Sequence, residues 1–162
     1  MARLLLVHHS PTASVRALTD AVVAGATDDA IDQVEVVVRS ALKATADDVL
    51  AADGYLLGTP ANFGYMSGAL KHFFDSTFLA IGGSLADDGS AGNATAGGRK
   101  PFGLYVHGRY DTTGAVRSVL SIVQALPWRQ AAEVLAVLGE VTDADRDAAY
   151  ELGATLAALV AD

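Results

Sequence analysis

The regular switching of its apolar pattern between two periods most limits the fold of this chain. Short apolar runs occupy positions 3–9 (RLLLVHH), 33–40 (QVEVVVRS), 54–60 (GYLLGTP), 100–108 (KPFGLYVHG) and 133–138. Runs of that length, closed by turn residues, predict buried β-strands. Between them the apolar residues fall three and four apart. Val15, Leu18, Val22 and Val23 share one helical face over 14–26, and Met66, Leu70, Phe73 and Phe74 mark a helix ending near residue 78. Val116, Val119, Leu120 and Val123 mark a further helix, and Leu152, Leu156, Leu159 and Val160 the last. Thr45 and Thr142 each precede an Asp by three residues (Asp48, Asp145), the pattern of a capped helix start.

The resulting order is βαβαβαβαβα. Strands alternating with helices of this size predict a five-stranded parallel sheet covered on both faces, a three-layer α/β/α sandwich. The 162 residues contain no repeat or dividing linker, so residues 1–162 are expected to be a single domain. Hydrophobic residues at 51% against 19% charged are enough to build a core. No apolar run approaches the roughly 20 residues of a membrane span, and no signal peptide is expected at the N-terminus. The absence of Cys excludes disulfides, thiolate metal sites and cysteine nucleophiles, and fits a cytoplasmic address. Eleven basic against 19 acidic residues, a net charge of −8, argue against nucleic acid or an anionic membrane as partner.

Ligands of open α/β sheets bind beyond the carboxyl ends of the strands, so the loops leaving strands one, three and four are the ones to read. The first contains no Gly, which excludes the GxGxxG dinucleotide fingerprint. The chain has no GxxxxGK[ST] phosphate loop and no GxSxG nucleophile elbow. His8, His9, Gly58 and Thr59 stand where a phospho-acceptor domain needs carboxylates. What the first loop offers is Ser10, Thr12 and Ser14, three hydroxyls directly before a helix. A helix N-terminus with added hydroxyls suits a phosphate dianion, and the same residues serve equally as caps. In the second loop Gly58 and Gly64 allow tight turns, and Asn62 has an amide able to donate and accept at a flavin pyrimidine edge.

Residues 58–75 (GTPANFGYMSGALKHFFD) resemble the GTPxxFGxMxGxLKxFxD segment of flavodoxin-like FMN proteins, most closely the NAD(P)H-dependent FMN and quinone reductases. The resemblance implies a flavodoxin-like fold with strand order 2-1-3-4-5 and FMN held without a covalent bond. It puts the FMN phosphate at Ser10, Thr12, Ala13, Ser14 and Val15. The isoalloxazine ring would lie between Thr59, Pro60, Ala61, Asn62, Phe63 and Gly64 on one side and His107, Gly108, Arg109 and Tyr110 on the other. Pro11 and Ala13 stand where the family has Gly, and the third loop lacks the family's Thr/Ser-Gly start.

The function implied is an NAD(P)H-dependent oxidoreductase that reduces quinones or flavins, the flavin carrying the chemistry and no side chain needed as catalytic acid. Two other readings stay open: a flavodoxin-type electron carrier that meets a redox protein, and an FMN-free interaction module. His107 is a candidate for the flavin edge or substrate, His8 for packing, and no metal site is expected. Tyr65, Tyr110 and Trp128 are candidate exposed aromatics. Residues 79–98, rich in Gly, Ala, Ser and Asp, read as a surface insertion or a flap, and a homodimer with this loop near its interface is expected.

Overall fold

The computed structural model of the chain describes residues 1–92 and 99–162. Its elements run β1 (Ala2–His8), α1 (Ala13–Ala26), β2 (Val34–Ser40), α2 (Ala46–Ala51), β3 (Gly54–Asn62), β4 (Tyr65–Met66) and α3 (Gly68–Thr77). They continue with β5 (Pro101–Gly108), α4 (Thr113–Ala125), β6 (Arg129–Gln130), β7 (Leu135–Leu138) and α5 (Asp143–Ala161). The sheet order is β2-β1-β3-β5, with β6 and β7 both pairing in parallel with the outer edge of β5. This is the flavodoxin-like order expected from the sequence, with the fifth strand in two pieces. Its apolar part begins at Leu135 rather than at 133, and the chain first touches β5 through the exposed pair Arg129 and Gln130.

Each face of the sheet has its own core, because successive strand residues point to opposite sides. Leu4 and Leu6 of β1 and Tyr105 of β5 pack with Leu18 and Val22 of α1 and Leu152 and Leu156 of α5. Leu5 and Val7 pack with Val49 of α2, Phe73 and Phe74 of α3, and Val119 and Val123 of α4. Trp128 is buried on this second face and stacks on Tyr55 with ring centroids 3.9 Å apart, so it is no exposed aromatic.

The third strand runs on past its expected end. Asn62 pairs with Tyr65 to close a hairpin through Phe63 (φ 51°) and Gly64 (φ 76°), two residues in the left-handed region. Met66 therefore belongs to β4, and α3 starts after Ser67, whose hydroxyl accepts from the Leu70 amide. Within 79–98, the described residues form a small turn. Leu85 and Ala91 bridge, the Gly92 amide donates to the Ser84 carbonyl at 2.7 Å, and Leu85 and Ala91 share a groove with Phe74, Phe78, Ile122 and Ala125. Residues 93–98 of that loop lie outside the described residues.

Helices α1 and α5 cross where neither can carry a side chain. A Cβ at Gly25 would stand 1.9 Å from the Tyr150 carbonyl oxygen, and one at Gly153 would stand 2.0 Å from that of Val22. The Tyr150 hydroxyl donates to the Asp28 carboxylate beside this crossing. Because the obstacle is backbone, it cannot rotate away, and Gly153→Ala is expected to lower stability by about 1–3 kcal/mol in urea unfolding. Gly68→Ala, where a Cβ meets nothing within 4 Å, should leave stability unchanged or raise it by about 0.5 kcal/mol.

Candidate functional site

The three loops read from the sequence leave the sheet side by side. His8 pairs with Gly58 in register, the His9 amide donates to the Gly58 carbonyl at 3.0 Å, and Pro60 pairs with His107. Loops two and three touch directly. A Cβ at Gly114, in the first turn of α4, would stand 1.9 Å from the Gly64 carbonyl oxygen. A Cβ at Gly108 would meet Ala61 and Thr112 at 3.1 Å.

The first loop ends in the N-terminus of α1. Thr12 caps α1, its hydroxyl accepting from the Val15 amide at 3.4 Å. Among the described residues, the amides of Ser10, Thr12, Ala13 and Ser14 donate to no other group of the chain. Helices α2 and α5 carry capping boxes with Asp48 and Asp145 and further acid in the first turn, whereas the first turns of α1, α3 and α4 have no acidic residue. The partial positive charge of the α1 end meets no carboxylate in its own first turn.

Thr12 and Ala13 are exposed and Ser14 is half-buried, so all three face the open end of the loop, while the Val15 side chain is buried in the core. Ser10 is turned inward. Its hydroxyl lies 2.8 Å from His8 Nδ1 and 2.8 Å from the Thr19 hydroxyl, which in turn lies 2.6 Å from the hydroxyl of the fully buried Tyr105. Burial first, and the neighbouring His9 second, hold His8 below the usual imidazole range, with Asp20 pulling the other way. The Tyr105 hydroxyl is pushed far above the usual phenol range by burial.

In the second loop Thr59 is wholly buried, donating to the Pro60 carbonyl and accepting from the Ser67 amide at 2.9 Å. It braces the turn and offers no side-chain contact. Pro60 is buried and Ala61 half-buried, while Asn62, Phe63 and Gly64 are exposed, Phe63 completely. In the third loop Gly108 is buried and His107 half-buried, and Arg109 and Tyr110 stand in solvent. The Arg109 guanidinium lies 5.5 Å from the Tyr110 ring centroid. His107 Nε2 donates to the Gly139 carbonyl at 2.7 Å, which assigns the proton to that nitrogen.

Ser14, His107, Arg109 and Tyr110 line one open cavity of about 580 Å³, within the usual range of small-molecule sites. Gly139 and Glu140 complete it. These two come from the loop after the last strand, which the choice of three loops passed over, although it too leaves a carboxyl end of the sheet. One polar atom in the first loop lacks a partner: His9 Nδ1 is buried and bonds to no group among the described residues. Free amides, an uncompensated helix end, an orphaned imidazole nitrogen and a cavity of this size fit a flavin mononucleotide. No group of three or more His, Asp and Glu among the described residues could hold a metal ion. No described helix is long and apolar enough to cross a membrane.

Comparison with known proteins identifies the fold and the family. A flavodoxin of Aquifex aeolicus is 29% identical over 98 residues, 60% of this chain and 52% of that protein, so the match spans about half the length of that relative. A flavodoxin from the domain Archaea superposes with a TM-score of 0.77 at 18% identity, covering 99% of each chain. The flavodiiron core of Synechocystis does so with a TM-score of 0.77 at 15% identity, covering 98% of this chain and 36% of that one. At such identities these two structures speak for the fold alone. The family model of NADPH-dependent FMN reductases matches residues 10–141, from the first loop to the end of the last strand's loop. The chain belongs to the NADPH-dependent FMN reductase family.

Proposed function

We propose that residues 1–162 form one FMN-binding domain that oxidises NAD(P)H and reduces a small acceptor such as a quinone or a flavin. The observation that carries this is the convergence of the free α1 amides with the hairpin of loop two and the cavity over loop three, inside the stretch matched by the family model. FMN, when bound, supplies the electron transfer itself. The protein's part is to hold and orient it. The amides of Thr12, Ala13 and Ser14 receive the phosphate. The Thr12 hydroxyl, which accepts from Val15, keeps its own proton to donate outward. Asn62 and the backbone of 59–64 line one side of the ring, and His107, Gly108, Arg109 and Tyr110 the other.

An electron carrier that docks on a redox protein is the second reading. The exposed aromatics Phe63, Tyr65 and Tyr110 favour it, since a rim of exposed rings suits transient docking. The two readings part in one experiment. The FMN-loaded protein, mixed with NADH or NADPH without oxygen, is expected to lose its flavin colour and to turn over repeatedly once a quinone is added. No bleaching by either nucleotide, with rapid exchange to a reductase protein, assigns it to the carriers.

The cofactor contacts have their own checks. Thr12→Ala is expected to weaken FMN by about 1.5–3 kcal/mol, roughly 10-fold to 150-fold, and riboflavin hardly at all. Equal losses for both flavins reduce this loop to a helix cap. Gly114→Ala forces the Gly64 carbonyl outward and is expected to weaken FMN and riboflavin alike, while thermal unfolding stays cooperative. Unchanged flavin affinity in that variant removes the hairpin from the ring site.

A further inference from the structure

The hydroxyl of Ser10 stands in the phosphate loop, yet its single proton has another use. With His8 neutral and its proton on Nε2, the chain Tyr105–Thr19–Ser10–His8 satisfies every group in one direction. The Tyr105 hydroxyl is fully buried and has Thr19 as its sole hydrogen-bond partner among the described residues, so it donates to Thr19. Thr19 then donates to Ser10, and Ser10 donates to His8 Nδ1. In this state Ser10 has no proton for a phosphate oxygen, which can only accept. A proton on His8 Nδ1 changes this. His8 becomes the donor, Ser10 accepts from both His8 and Thr19, and the Ser10 proton is left free for an acceptor outside this chain of hydroxyls.

We propose that His8 is a positioning residue for the cofactor phosphate, its protonation turning Ser10 from an inward to an outward donor, so that phosphate binding takes up a proton. This rests on the FMN reading above. Other titratable groups face His8, His9 disfavouring its charge and Asp20 favouring it. From the first loop, next to β1, comes His9, from α1 the oppositely charged Arg16 and Asp20, which line the same small cavity, and from β5 the buried Tyr105. Strand β2 faces it with the uncharged Val38 and the register partner Ser40. A phosphate dianion stabilises the imidazolium, so FMN raises the His8 pKa above its lowered value in the free protein. The sign follows: FMN affinity grows as pH falls through the bound-state value toward the free-state value, and levels off below both.

The test measures FMN and riboflavin dissociation constants by flavin fluorescence from about pH 8 to about pH 5.5, for the wild type, His8→Gln and Ser10→Ala. The titration of the FMN phosphate itself is common to all three and cancels. The preference for FMN over riboflavin is expected to rise about tenfold more in the wild type than in His8→Gln across that range. Ser10→Ala should lose most of that extra rise. In the wild type, the His8 ring followed by NMR should titrate at higher pH with FMN than with riboflavin, a reading that does not depend on either variant folding. Parallel pH curves for wild type and His8→Gln, or a His8 titration indifferent to the phosphate, overturn the proposal while leaving FMN binding in place. Failure to bind either flavin at any pH overturns the cofactor reading, and this inference with it.

Discussion

The site depends on β3 being enclosed. From Gly54 to Pro60 the strand is buried, with β1 hydrogen-bonded along one edge and β5 along the other. A parallel strand in that position has no freedom of register, because a slip of one residue turns its whole apolar set to the wrong face. The ends of β1, β3 and β5 are therefore fixed relative to one another, and the three loops emerge at set spacing. Side chains on the loops need little further organisation. Thr59, buried between the Pro60 carbonyl and the Ser67 amide, carries the strand's rigidity one step into the second loop.

Close backbone approach does the rest. Glycines at 25 and 153 let α1 settle against α5, and glycines at 108 and 114 let loops two and three touch. None of these four positions has a φ in the left-handed region, so the requirement is for space and not for conformation. Gly64 is the opposite case, with open space for a Cβ but a φ of 76°. A single residue type thus answers two physical demands within one site.

Much of the fold was legible because burial writes itself into periodicity. Most apolar positions of β1, β3 and β5, and of α1, α4 and α5, are core or half-buried residues in the structure, but Leu159, expected on the inward face of α5, is exposed in the last turn of that helix. The misplacements have local causes. Met66 fits the helical spacing of Leu70, Phe73 and Phe74, and is buried with them, but its backbone belongs to β4 and the helix begins after Ser67. Arg129 and Gln130 are exposed and polar, so no apolar pattern announces that they pair with β5. At the site, the three loops were readable from the rule that ligands sit at strand carboxyl ends. The inward turn of Ser10 was not, since its cause lies in Thr19 two turns along α1 and in Tyr105 on another strand.

A chain of net charge −8 has a problem in attracting a phosphate, and the distribution of its acid shows how the problem is reduced. Charges beyond about 8 Å are largely screened at physiological ionic strength, so what matters is the first turn of the receiving helix. There α2 and α5 each give their N-cap amide to an acid, Thr45 to Asp48 and Thr142 to Asp145, and α1, like α3 and α4, has no acid in its first turn. The same capping chemistry that stabilises two helices would, if repeated at α1, occupy the amides and cancel the helix charge a dianion needs. Helix α1 accordingly forgoes part of its own end stabilisation and leans on the α5 crossing and the Thr12 cap to hold its place. Its stability and its readiness for a phosphate are thus set at opposite ends of one helix. Gly25 fixes the far end by backbone contact, which leaves the near end free to stay unsatisfied, as the proposed phosphate site requires.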